Sequence, residues 1–339
     1  MKAHHAAMKD TRPRVAMLLG DPNGIGPEVG LKVLANPDTA RLAQVVLFTN
    51  DAILESGFAV TGLSRAVLAG VEIRALDLID ARAITPGQAS AAGGRAALAS
   101  LTAAARAAQQ GAVEAIVFAP LNKHAMRLAG LEQEDELRLL QELFAIDGFV
   151  SEFNITQGLW TSRVTSHVPL RDVASHITRA RVVDAIRIVH RYLAASGKAA
   201  PRIAVAGLNP HAGDGGSIGR EEIDVIAPAV ADAQREGIAA AGPLSPDTMF
   251  LMAQRGDYDA VVSMYHDQGQ IAMKLMGFEQ GVTLHGGLPV PVATCASGTA
   301  FDIVGRNIAN AKGLQQALEI AAAIATSDSR RLRDAAIPA

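Results

Sequence analysis

The chain has 339 residues, 49% apolar and 19% charged, with a formal net charge of -3; that is more chain than one core usually organises, so two domains are expected. No basic run and no interleaving of aromatic with basic residues occurs, which excludes nucleic acid as a partner class. A single cysteine, Cys295, excludes an internal disulfide framework and fits a reducing cytoplasm.

From the N-terminus, Met1–Arg14 is polar and lacks the apolar core of a secretory signal. Val15–Leu19 reads as a buried strand that ends in the turn Gly20-Asp21-Pro22-Asn23-Gly24. Pro27 and Glu28 then open a helical pattern through Leu34, with proline in the first turn and an acid at the positive end of the dipole. Val45–Phe48 predicts a strand, Ser90–Gln109 a long alanine-rich helix, and Ala115–Phe118 a strand running into Ala119-Pro120-Leu121-Asn122-Lys123. Arg163–Thr165, Ile203–Ala206 and Ala260–Ser263 are further strands, and Ala311 to about Asp334 a last long helix. The apolar run Ile320–Ala325 within it is far too short to cross a bilayer, so no membrane partner is expected and the location is read as cytoplasmic. Short strands alternating with long helices mean a largely parallel α/β architecture.

Three histidines stand just past strand ends: His167, His211 and His266. In open parallel sheets that edge collects ligands, because the strand-to-helix loops converge there. Three imidazoles could hold a borderline divalent cation such as zinc, cobalt or nickel and leave a position for substrate oxygen; each alone could equally be a loop hydrogen-bonding group. His4 and His5 fall in a terminus expected to fray, His124, His176 and His190 fall in helical patterns, and the position of His285 leaves its role open. The run Asn209–Gly216 is rich in glycine, yet it is neither a Walker loop nor a dinucleotide fingerprint. Asp247 could cap a helix or serve the site, and Asp267 could orient an imidazole or simply face water. Lys274 could meet a substrate carboxylate or be solvated.

The runs Gly20–Pro27, Ala119–Lys123, Ser166–Asp172, Gly207–Gly213, Gly242–Thr248 and Met264–Gly269 resemble, in order and over nearly the whole chain, the 4-hydroxythreonine-4-phosphate dehydrogenase family. The resemblance implies an isocitrate/isopropylmalate dehydrogenase-like fold of two α/β domains, with the active site in the cleft between them. Residues 1–132 with 291–339 would form one domain and 133–290 the other. It further implies a homodimer with shared sites and a divalent metal (zinc, cobalt, nickel or magnesium) on His167, His211 and His266. Asp247 and Lys274 take the catalytic positions, Lys274 also touching substrate. NAD or NADP would accept hydride from a secondary alcohol, and loss of carbon dioxide would follow.

Several positions depart from the family pattern. Where the family carries Gly-His-Thr-Glu, with the His-Thr pair on the substrate and its phosphate, this chain has Asp135-Glu136-Leu137-Arg138. The phosphate-contacting arginine falls at Val292 and a nearby asparagine at Thr283. A carboxylate repels a phosphate, and a missing guanidinium removes its bidentate grip. An unphosphorylated hydroxy acid is therefore expected as the small-molecule substrate, contacted by Glu136, Arg138, Thr283 and Lys274. The family's Asp-His-Gly-Thr-Ala is Ala296-Ser297-Gly298-Thr299-Ala300 here, which assigns Ser297, Gly298, Thr299 and Asp302 to the dinucleotide while weakening its grip. Two other readings fit the same residues: a metal-dependent lyase or decarboxylase without hydride transfer, and a non-catalytic ligand-binding relic.

Overall fold

Segments of four to six residues build the strands: β1 (Arg14–Leu18), β2 (Gln44–Thr49), β3 (Glu72–Ala75), β4 (Ala115–Phe118), β5 (Ser151–Thr156), β6 (Leu159–Arg163), β7 (Arg202–Ala206), β8 (Ala239–Leu244), β9 (Ala260–Ser263), β10 (Val282–Gly286) and β11 (Val292–Cys295). The computed structural model describes residues 10–277 and 281–328. His4, His5 and the expected last turns of the final helix, to Asp334, lie outside them. Among the described residues the eleven strands form one sheet in the order β3-β2-β1-β4-β11-β10-β5-β6-β9-β7-β8. Most strands, such as β1, β4 and β9, are buried on both faces, as expected where helices cover a sheet on both sides.

The sheet is largely parallel, as expected, with a reversal of direction at its centre. β10 runs antiparallel to both β11 and β5, and β5 is antiparallel to β6, while the remaining pairs are parallel. The β5–β6 connection is a two-residue hairpin whose Gln157 and Gly158 both have positive φ, 51° and 82°. Such turns match the twist of antiparallel strands. A short apolar run looks the same in either direction, so composition does not reveal this reversal. The segment read as a strand at Arg163–Thr165 is the end of β6 continuing into a loop.

Helix starts follow the expected chemistry. Ser90 caps the helix Ala91–Gln109, its hydroxyl accepting from the Gly93 N–H at 3.1 Å. Asp135 does the same for the helix Glu136–Leu143 through the Arg138 N–H at 3.0 Å. Helix Lys312–Asp328 returns to pack on β11, β4 and β10, filling the first half's core with Leu314, Leu318 and Ile324. Gly20, with φ 70°, lets β1 turn within reach of the loop after β4: a Cβ there would lie 2.4 Å from the Pro120 carbonyl oxygen.

Candidate active site

The strand-end loops carry the chemistry, and hydrogen bonds between loops position it. Beyond β6 and β9 the parallel pairing continues: the Val164 N–H donates to the Ser263 carbonyl at 2.9 Å, and the Thr165 hydroxyl donates to the Met264 carbonyl at 2.8 Å. His167 and His266 are thereby held side by side, their ring centroids 5.8 Å apart. Each ring meets a carboxylate at Nδ1: His167 is in close contact with Glu134, and His266 is 2.8 Å from Asp267. A carboxylate on Nδ1 fixes the tautomer and leaves Nε2 free for a divalent cation. Asp267 thus takes the orienting position open to it in the sequence, and Glu134 was not foreseen.

His211 sits in an unusual backbone. His211 through Gly215 all have positive φ, between 43° and 79°, a left-handed turn that costs energy at each non-glycine residue. Buried Glu222 holds it: its carboxylate accepts from the Leu208 and Asn209 N–H groups, both at 2.7 Å, and from the Asn209 amide at 3.0 Å. At Gly213 a side chain would collide with that carboxylate, 2.6 Å from its Oε2. Gln268 joins this loop to the His266 loop, accepting from the Met264 N–H at 2.6 Å and donating to the Gly207 carbonyl at 2.8 Å. His211 itself faces Asp247 at the start of helix Pro246–Gln254. A 2.6 Å hydrogen bond from the Ser245 hydroxyl, with His211 nearby, holds the Asp247 carboxyl below its usual range. Lys274 lies in the last turn of helix His266–Leu275 and is exposed.

Within one chain the three histidines do not gather. Among the described residues, the triads of ligating side chains with atoms within 4.8 Å of one another are Glu134/Asp135/His167 and Glu136/Glu152/His285. A cleft of about 550 Å³ opens beside His167, lined by Glu134, Arg138, Arg163, His176 and Arg181 among others. Arg138 faces it while its guanidinium donates to Gln141 at 2.6 Å. His176, assigned to a helix by its pattern, closes the short helix Val173–His176 and so reaches the same cleft.

A buried polar row on the central strands was also not foreseen. Register places Thr283 against Asn154 and His285 against Glu152, with His285 facing Val292 on its other side. Arg163 ties the row together, donating to Asn154 at 2.9 Å and to Glu152 at closer range. Thr283 accepts from the Asn154 amide at 3.3 Å. Burial alone would push the Glu152 carboxyl up, but His285, Arg163, Lys123 and His167 outweigh it and hold the group below the usual carboxylate range. The alternation of polar Glu152 and Asn154 with apolar Phe153 and Ile155 was the available signal.

The expected dinucleotide segment leaves β11 as an irregular loop. Ser297, Gly298 and Asp302 are exposed, and Gly298 has open space where a Cβ would stand. Thr299 is buried: its carbonyl accepts from the Ile25 N–H at 3.1 Å and its hydroxyl from the Asn122 amide at 3.2 Å. Those bonds fasten this loop to the Gly20–Gly26 turn and to the loop after β4. The accessible backbone at Gly298 suits the close approach of a cofactor phosphate.

Comparison with known proteins places these features in a family. The model of the pyridoxal phosphate biosynthetic protein PdxA matches residues 40–321. A Pseudomonas aeruginosa protein provisionally named 4-hydroxythreonine-4-phosphate dehydrogenase 2 is 47% identical, with 91% of this chain and 96% of that protein covered. The crystal structure of the Klebsiella pneumoniae 4-hydroxythreonine-4-phosphate dehydrogenase is 35% identical and superposes with a TM-score of 0.79, covering 93% of this chain and 98% of the other. A terephthalate 1,2-cis-dihydrodiol dehydrogenase from Burkholderia xenovorans LB400 is 31% identical with a TM-score of 0.65, covering 89% and 95%. No helix among the described residues is long and apolar enough to cross a membrane. The chain belongs to the PdxA family of 4-hydroxythreonine-4-phosphate dehydrogenases, NAD(P)-dependent oxidoreductases acting on CH–OH groups.

Proposed function

We propose that this chain is a divalent-metal-dependent oxidative decarboxylase whose substrate is an unphosphorylated hydroxy acid. The observation that carries the reading is the pair of changes at Glu136 and Val292, which put a carboxylate and an apolar side chain where the family grips phosphate. The likeness to a protein named for an unphosphorylated cis-dihydrodiol supports it. His167, His211 and His266 would hold the cation, with Glu134 and Asp267 orienting two of the rings. When bound, the cation supplies a Lewis acid at the substrate oxygen, and the nicotinamide accepts hydride. Ser297, Gly298, Thr299 and Asp302 would meet the dinucleotide. Asp247, kept ionised by Ser245, orients its neighbours as a fixed negative charge. Lys274 would bind the substrate carboxylate or return a proton to carbon after carbon dioxide leaves; Arg138 and Thr283 would complete the substrate contacts.

We propose the domain boundary at the β11/β10 seam; in support, strands drawn from 1–132 and 291–339 occupy one side of it and strands from 133–290 the other. The active form is proposed to be a homodimer, because the histidines do not close within one chain and the helices Pro246–Gln254 and His266–Leu275 expose large apolar side chains. Leu275 is 84% exposed, Ile271 61% and Leu251 56%. Ile271→Glu combined with Leu275→Glu is expected to give a monomer by sedimentation and to lower bound metal; a dimer of unchanged metal content would refute this assembly. The function itself is tested by titrating the metal-loaded protein with NAD and NADP, then screening hydroxy acids and cis-diols for NADH formation. Saturable binding and turnover are expected; no dinucleotide binding would sink the dehydrogenase reading.

A further inference from the structure

Two positions that grip phosphate elsewhere in the family flank one buried side chain here. His285 is fully buried on β10, directly opposite Val292, and its ring lies 5.9 Å from that of Phe118. One nitrogen of His285 and one oxygen each of Glu136 and Glu152 lie within 4.8 Å of one another. Neither nitrogen of His285 has a hydrogen-bond partner, nor do Glu136 Oε2 and Gln270 Oε1, all of them buried. Gln270 adjoins the cluster, its side-chain amide donating a hydrogen bond to Asn154 Oδ1, which Arg163 links to Glu152. So many unmatched polar atoms in one place are costly unless something supplies their partners.

The chemistry narrows what that partner is. An apolar group would leave every one of these atoms unpaired. A phosphate ester would meet the carboxylates of Glu136 and Glu152. A metal cation would face the guanidinium of Arg163, which already neutralises Glu152. A hydroxyl both donates and accepts, so it satisfies carboxylate, amide oxygen and imidazole whichever ring nitrogen carries the proton.

We propose that Glu136, Glu152 and His285 form the distal end of the substrate pocket and recognise a free hydroxyl at the position where the family substrate carries its phosphate. This rests on the oxidoreductase reading above, and it names the substrate class as a polyhydroxy acid. The cluster selects by hydrogen bonds and is distinct from the metal-binding histidines.

Three compounds differing only at that position test it: 4-hydroxythreonine, its 4-phosphate, and threonine, which lacks the terminal hydroxyl. Calorimetric titration of the metal-loaded full-length protein is expected to show 4-hydroxythreonine binding at least about tenfold more tightly than either of the others. Glu136→Ala and, separately, His285→Leu should bring 4-hydroxythreonine and threonine to within about threefold of each other, while threonine binds each variant as it binds wild type. Because Glu136 is partly exposed, its variant tests the cluster even if the His285 variant misfolds. Tightest binding of the phosphate, equal binding of threonine, no binding of 4-hydroxythreonine, or an equal loss for both compounds in the variants would each overturn the proposal. So would a second equivalent of bound metal that Glu152→Gln releases. Failure of the oxidoreductase reading is separate: it appears as absent NADH formation with the binding pattern intact.

Discussion

His266→Ala is expected to strip the divalent metal from the protein and to lower kcat/KM by about a thousandfold or more, since Lewis-acid stabilisation contributes several kcal/mol. The fold should survive. His266 is the first residue of its helix, 37% exposed at the side chain, and makes its polar contact with Asp267 next to it. Elemental analysis after dialysis, read with a thermal melt, separates loss of the ion from loss of the fold. Full metal occupancy with near-wild-type turnover would remove this histidine from the site.

Glu222→Ala is expected to weaken metal binding as well, although Glu222 is not among the proposed ligands. Its carboxylate accepts three hydrogen bonds from the segment leading into His211, and charge-assisted bonds of this kind each contribute roughly 1.5–3 kcal/mol. Without them the left-handed turn at His211–Gly215 has little to hold it against its backbone strain. Metal affinity should fall by about 10–100-fold, the usual cost of losing a residue that orients a ligand. Glu222→Gln keeps one oxygen for the two backbone donors and should lose markedly less. Metal titration of both variants checks the order; equal affinity in Glu222→Ala and wild type would show that His211 is positioned by other means.

The candidate ligands were legible because each follows an apolar strand run and precedes a turn, and that local grammar survives folding. His167 and His266 came together as neighbours just beyond the ends of adjacent strands, β6 and β9, although nothing in the residues said that these strands pair. The groups that hold the candidate ligands were less accessible to reading. Gln268 reaches the Gly207 carbonyl across 61 positions and Glu134 reaches His167 across 33, so neither pairing leaves a local pattern. Antiparallel pairing at β5, β6, β10 and β11 was missed because strand direction has no composition. His285, whose role the sequence left open, became interpretable only once register set it beside Glu152 and Val292.

This family member is proposed to have exchanged recognition of a phosphate for recognition of an unphosphorylated hydroxy acid. The most direct measurement is NADH formation by the metal-loaded enzyme on 4-hydroxythreonine and on its 4-phosphate, compared as kcat/KM at fixed NAD. With Glu136 and Val292 at the phosphate positions, the unphosphorylated compound should be preferred by at least about tenfold, the cost of a lost charge-assisted contact and an added repulsion. A preference for the phosphate of similar size would contradict the account.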